Sequence, residues 1–166
     1  MFLWGKSMSS QYKRKIKVVT IRQSFYKLFS EEDEIMQKIG QEAKERPCLI
    51  LVKMKYKGIK YTFAIPFRSN IGNAPRDTYF PLPNRTTTRD GRKHGLHYSK
   101  MFPIIENYLM RYEMGGDFQE ELVLAHIEKN IKQIFTEASD YLKKYEEGRR
   151  ELFCVDIDSV LDELIN

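Results

Sequence analysis

The stretch "CLILVKMKYKGIKYTFAIPF", residues 48–67, decides the fold. Its two halves are rich in aliphatic, β-branched and aromatic residues and flank Lys57 and Gly58, so the spacing predicts two strands joined as an antiparallel hairpin. Lys53, Lys55, Lys57 and Lys60 fall on a solvated face or an edge, where lysine also discourages pairing with another chain. Pro66 interrupts the apolar run, and Arg68, Ser69 and Asn70 then stand in a row ahead of Gly72. Two readings of that corner remain open. One is a turn, which Ser, Asn and Gly favour through local hydrogen bonds; the other is a site that grips a phosphate with a cation, a hydroxyl and an amide.

Upstream, "KIKVVTI" (15–21) alternates charge with aliphatic residues and suits a half-buried first strand. "SEEDEIMQKIGQEAKER" (30–46) reads as a helix capped by Ser30 and stopped by Pro47. Downstream, residues 70–100 are loop-rich, with a short extended piece "DTYFPL" and the donor-dense, acid-poor "NRTTTRDGRKHGLHYSK" (84–100). "KMFPII" is a further core strand, its Pro103 marking an edge or a bulge. From Asp117 the period becomes helical, with Phe118, Leu122, Ile127, Ile131, Ile134, Ala138, Tyr141 and Tyr145 on one stripe and Gly148 closing the segment. "LFCVDI" returns to strand, and Asp158 caps a last short helix. This order predicts a compact α+β domain on a mainly antiparallel sheet over 15–166, with 1–14 a flexible or appended leader.

With 42% hydrophobic and 31% charged residues in 166, the chain can bury one good core. Cys48 and Cys154 lie in apolar contexts, which suits free thiols in a reducing cytoplasm rather than a disulfide scaffold. No apolar run approaches the roughly 18 residues that span a bilayer. The net charge of +5 hides an asymmetry: residues 1–27 carry +7, 28–66 +1, 67–100 +5 and 101–166 −8. A polyanion is drawn to the first two-thirds and repelled by the last. His94, His97 and His126 show no zinc-site spacing, and neither a P-loop nor a dinucleotide fingerprint follows any strand, which removes zinc hydrolases, kinases and dehydrogenases and leaves no cofactor expected.

The remaining groups suit phosphodiester chemistry. RNA carries its own nucleophile, the 2′-hydroxyl, so an enzyme need only hold the strand, remove that proton and stabilise charge on phosphorus. Arg68 supplies a fork of donors, and Ser69 and Asn70 add hydrogen bonds. His97 has an intrinsic pKa suited to proton transfer, and Lys100 can neutralise an oxyanion. Arg85, Arg89, Arg92 and Lys93 are phosphate contacts or a plain solvated loop. Tyr79, Phe80 and Tyr98 are candidates for stacking on bases.

"GIKYTFAIPFRSN", followed by "KHGLHYSKMFPII" and finally "FCVDIDSVLDEL", resembles the ToxN/AbiQ family of type III toxin–antitoxin endoribonucleases, in particular its CptN and TenpN branches, over most of 15–166. The resemblance implies a MazF/Kid-like β-barrel core decorated with helices. It also implies metal-independent RNA cleavage leaving a 2′,3′-cyclic phosphate and a 5′-hydroxyl, and inhibition by a pseudoknot RNA antitoxin cut from a repetitive precursor, within a closed protein–RNA oligomer. Cellular or phage RNA is the implied substrate, and antiviral defence the setting. By position, the family's Pro-x-x-Ser serine falls on Ser69, the basic residue ahead of the second strand near Arg46, and the "SK" lysine on Lys100. Arg68 stands where relatives have Thr, and Ile71 where they have a lysine. The rival expectation is a non-catalytic RNA-binding module on the same basic surface.

Overall fold

The computed structural model describes residues 16–29, 34–35 and 46–165. The elements in chain order are β1 (Lys17–Ile21), the one-turn α1 (Gln23–Tyr26), β2 (Cys48–Ile50), β3 (Met54–Tyr56) and β4 (Ile59–Ile71), then β5 (Tyr79–Leu82), β6 (Lys93–His97), β7 (Phe102–Ile104) and β8 (Leu109–Arg111). Three helices follow, α2 (Phe118–Lys129), α3 (Ile131–Glu146) and α4 (Ile157–Ile165). The expected leader over 1–14 and most of the helix expected over 30–46 lie outside the described residues.

The hairpin forms as its turn chemistry demands. Lys57 (φ 51°) and Gly58 (φ 81°) both take the left-handed conformation that matches a two-residue loop to the twist of its strands, pairing Met54 with Tyr61 and Tyr56 with Ile59. The first half is two strands rather than one. Ile50 pairs with Ala64 and Met54 with Tyr61, so four steps on one side meet three on the other, and the extra residue kinks the run between β2 and β3. Lys55 and Lys60 are direct cross-strand partners, a like-charge pair on the exposed side.

Pro66 does not end its strand. It pairs with Cys48, and beyond it β4 exchanges partners, Phe67 meeting Leu96 and Arg68 meeting Gly95. The register then shifts before Ile71 meets Lys93. Arg68–Asn70 therefore sit on a β-bulge inside a strand, and the turn reading is corrected. Bulges re-aim side chains beside functional sites. The 84–100 segment is likewise only partly loop: Lys93–His97 is the strand β6. Gly95 makes that possible, because a Cβ there would lie 2.7 Å from the Phe80 carbonyl oxygen of β5.

All strand pairs are antiparallel, and the sheet runs β5-β6-β4-β2-β1-β8, with β3 and β7 also on β4. Among the described residues it is open, ending on β5 and β8, so the α+β, antiparallel expectation holds while the barrel is not closed. Alternate residues bury opposite faces. Phe63, Ile65 and Phe67 pack with Leu96, Ile127, Ile134 and Tyr145 against α2 and α3, whereas Ala64, Cys48 and Ile50 pack with Phe25, Phe102 and Val160 on the other side. Burial on both faces is why "FAIPF" is an unbroken apolar run.

Three helical and terminal expectations change. Asn130 divides the long helical region, and the stripe is buried only from Val123 and Ile127 onward, with Phe118 and Leu122 exposed. Gly148 (φ 86°) does close α3. "LFCVDI" is a turn and extended connector rather than a strand. α4 is capped by Asp156, whose Oδ1 accepts from Ser159 N at 3.2 Å, while Asp158 accepts from the Tyr56 hydroxyl at 2.8 Å and from Lys57 Nζ at 3.0 Å. Among the described residues no helix is long and apolar enough to cross a membrane.

Candidate functional site

The β4 bulge, the end of β6, the helical turn Tyr98–Lys100 and the 151–153 turn converge on a cleft of about 710 Å³. Arg68, Arg92, His97, Ser99 and Lys100 line it, joined by Glu34, Glu151 and Phe153. The corner after Pro66 and the segment ending at Lys100 thus share one wall. Gly72 lets Arg92 lie close over the exit of β4, since a Cβ there would sit 2.5 Å from its Nη1.

Arg68 Nη1 approaches His97 Nδ1 at 3.5 Å. A guanidinium only donates, so Nδ1 offers its lone pair and the ring proton resides on Nε2. Burial pushes His97 down to about 3, aided by the neighbouring charges of Arg68, Lys100 and Arg46. The imidazole is therefore neutral at physiological pH, an acceptor rather than an acid. A bound phosphate would offset those cations and raise it. Burial also lowers Arg68, with Arg92 adding to the effect, although a guanidinium remains charged.

Lys100 is buried, and its Nζ donates to Glu34 Oε2 at 2.8 Å and to the Phe153 carbonyl oxygen at 2.5 Å. Of its three hydrogens, one has no partner among the described residues. Glu34 (φ 61°) and Phe153 (φ 62°) both have left-handed backbones, so both groups that fix Lys100 come from strained positions.

The other sequence candidates distribute around this cleft. Ser69 is half-buried in β4, adjacent to Arg68 but not among the lining residues; the serine that lines the cleft is Ser99. Asn70 organises the 83–92 loop, accepting from Arg89 N at 2.7 Å and donating to Thr87 O at 3.2 Å. Arg89 is exposed and Arg85 half-buried on that loop. Lys93 donates to the Tyr79 hydroxyl at 2.9 Å. Arg46 sits behind the wall, Nη1 donating to Phe67 O at 2.8 Å. Tyr79, Phe80 and Tyr98 are buried, and the Tyr98 hydroxyl donates to Glu137, so none offers an open ring to a base; stacking on them is corrected. His94 is also buried and gives its Nδ1–H to Pro83 O at 2.8 Å, outside the cleft. Sequence reasoning missed Ser99, Glu34 and Phe153. Only Ser99 carried a signal, its place beside Lys100. Among the described residues no cluster of His, Cys, Asp or Glu is suited to a metal ion.

No family model matches the sequence, and no curated protein matches it significantly. Solved structures do. A protein of a bacterial antiviral system regulated by a processed non-coding RNA is 13% identical, with TM-score 0.66 over 88% of this chain and 95% of its own. A bacterial type III toxin–antitoxin protein, from a system in which a non-coding RNA pseudoknot selectively inhibits the toxin, is 17% identical, with TM-score 0.64 over 90% and 95%. AbiQ, a lactococcal anti-phage endoribonuclease of the type III toxin–antitoxin class, is 10% identical, with TM-score 0.65 over 91% and 96%. At such identities the likeness is one of fold, and in fold this chain is of the ToxN/AbiQ kind that its motifs resemble.

Proposed function

We propose that the chain is an endoribonuclease toxin of a type III toxin–antitoxin system, cleaving RNA without a metal and held in check by a pseudoknot RNA antitoxin. The observation that carries this reading is the convergence of Arg68, Arg92 and Lys100 on one cleft around a neutral imidazole. The type III fold adds to it.

In the proposed reaction Arg68 and Arg92 take the scissile phosphate. As Arg68 turns to the phosphate it releases His97 Nδ1, whose lone pair accepts the 2′-hydroxyl proton while the phosphate's charge strengthens it as a base. The 2′-oxygen attacks phosphorus, the P–O5′ bond breaks, and water protonates the departing 5′-oxygen, leaving a 2′,3′-cyclic phosphate. The uncommitted Lys100 hydrogen stabilises the charged oxygens. The family resemblance assigns a serine contact to Ser69, and the cleft offers Ser99. The loop bearing Arg85 and Arg89, with Lys93, follows the RNA backbone, and Arg46 adds its charge from behind the wall. Two RNA-binding faces per protein would be needed to close a protein–RNA ring, in a cytoplasmic setting.

Incubation of the purified protein with adenine-rich single-stranded RNA in EDTA tests this. Discrete cuts with cyclic-phosphate ends are expected, abolished in Arg68→Ala; Ser69→Ala and Ser99→Ala, compared side by side, show which serine matters. RNA that is bound yet stays intact under all conditions would make the protein a binding module instead.

A further inference from the structure

The turn at 151–154 is an odd thing to find beside a basic cleft. Leu152 is 85% exposed and Phe153 70% exposed, both among the residues lining the cleft. A bulky residue at φ 62° is a backbone outlier, because its Cβ crowds the following carbonyl. The strain yields no burial for the ring. It does fix two bonds to the opposing segment: the Phe153 carbonyl accepts from Lys100 Nζ, and Val155 N donates to Ser99 O at 3.0 Å. The turn is thereby locked to the lysine while its two apolar side chains are held out in solvent.

Resting on the endoribonuclease reading, we infer that the Leu152–Phe153 turn is a base-stacking platform, the place where the cleft takes an unstacked RNA base next to the scissile phosphate. Arg68 and Arg92 line the same cleft and hold phosphate, so a nucleotide spanning it meets cations with its backbone and an open aromatic face with its base. Single-stranded RNA is recognised through this combination. The platform replaces Tyr79, Phe80 and Tyr98, whose rings are enclosed. It also couples recognition to chemistry, since the residue that would receive the base is the one whose carbonyl grips Lys100. Its specificity is for a ring face flanking the cut rather than for one base edge, because Leu152 and Phe153 themselves offer no hydrogen-bonding group to read it.

The test uses an RNA whose cleavage site has been mapped with the wild-type protein. Phe153→Gly is the informative variant: glycine accepts φ 62° freely, so thermal melting should rise or hold, while kcat/KM falls roughly 5- to 100-fold, the range expected for loss of one base–aromatic stack. Phe153→Trp should retain activity. An abasic nucleotide beside the cut should impair wild type by a similar factor and Phe153→Gly hardly at all. Binding of a 2′-deoxy, uncleavable RNA carrying 2-aminopurine at that nucleotide should quench its fluorescence with wild type and not with Phe153→Gly. Equal cleavage by wild type and Phe153→Gly, or an abasic effect undiminished in Phe153→Gly, overturns the platform. Absence of any cleavage by wild type overturns the endoribonuclease reading instead.

Discussion

Lowering the pH titrates His97 in the unfolded chain long before it does so in the folded one, and the stability of the protein should show it. The imidazole has an ordinary value of 6.5 and is pushed down to about 3 by burial among Arg68, Lys100 and Arg46. A depressed base binds fewer protons folded than unfolded, so stability is lost as pH falls below about 6.5 and the loss levels off only below about 3. At pH 4 protonation favours the unfolded ring by roughly 3 kcal/mol, at about 1.36 kcal/mol per unit, while the folded ring gains next to nothing. The net effect is on the order of 2–3 kcal/mol, against a total stability of about 5–15 kcal/mol. Urea unfolding followed by circular dichroism at pH 4 and pH 7.5 measures it. Carboxylates and His94 contribute to both proteins, so the quantity of interest is the difference between wild type and His97→Gln. The variant should lose about 2–3 kcal/mol less over that interval, with its slope between pH 4 and pH 6 reduced by nearly one proton. Parallel stability curves for the two would show that His97 titrates normally and is not held neutral by the cleft.

Three further outcomes follow from contacts elsewhere. Gly95→Ala places a methyl 2.7 Å from the Phe80 carbonyl oxygen and 3.0 Å from Ile71 Cδ1, with backbone on one side that cannot yield. It should destabilise the fold by about 1–3 kcal/mol, read as a fall of several degrees in Tm. Lys60→Glu turns the direct like-charge partnership with Lys55 into an attractive one and should stabilise by about 0.5 kcal/mol in urea titration at low salt, with the gain vanishing at high salt. Arg92→Ala removes one phosphate contact, so the log–log salt dependence of single-stranded RNA binding should become shallower by about 0.7; an unchanged slope would place Arg92 outside the RNA path.

What the sequence disclosed was mostly local. The hairpin was readable because Lys57 and Gly58 impose their own backbone geometry. β6 was not, because Lys93–His97 shows no alternation: its glycine answers to the Phe80 carbonyl, His94 to the Pro83 carbonyl and His97 to a basic wall, all outside the strand itself. The bulge after Pro66 looked like a turn because bulge and turn draw on the same small polar residues. Arg68, His97 and Lys100 were identifiable as a donor-rich set, and the structure places them on one cleft. The aromatics misled. An apolar pattern shows which rings could be buried, not which are held outside, and "LFCV" read as strand because nothing local announces that Phe153 is strained to satisfy Lys100.

The distance in sequence between that strained turn and the lysine it holds bears on how the chain is made. β4 is the shared partner of β2, β3, β6 and β7, all of which are complete by residue 104. Lys100, however, waits for the carbonyl of Phe153, 53 residues further on, and Ser99 for the amide of Val155. The cleft is thus finished only by a turn 53 residues beyond the lysine it holds, and a product truncated before that turn would lack the carbonyl that fixes Lys100.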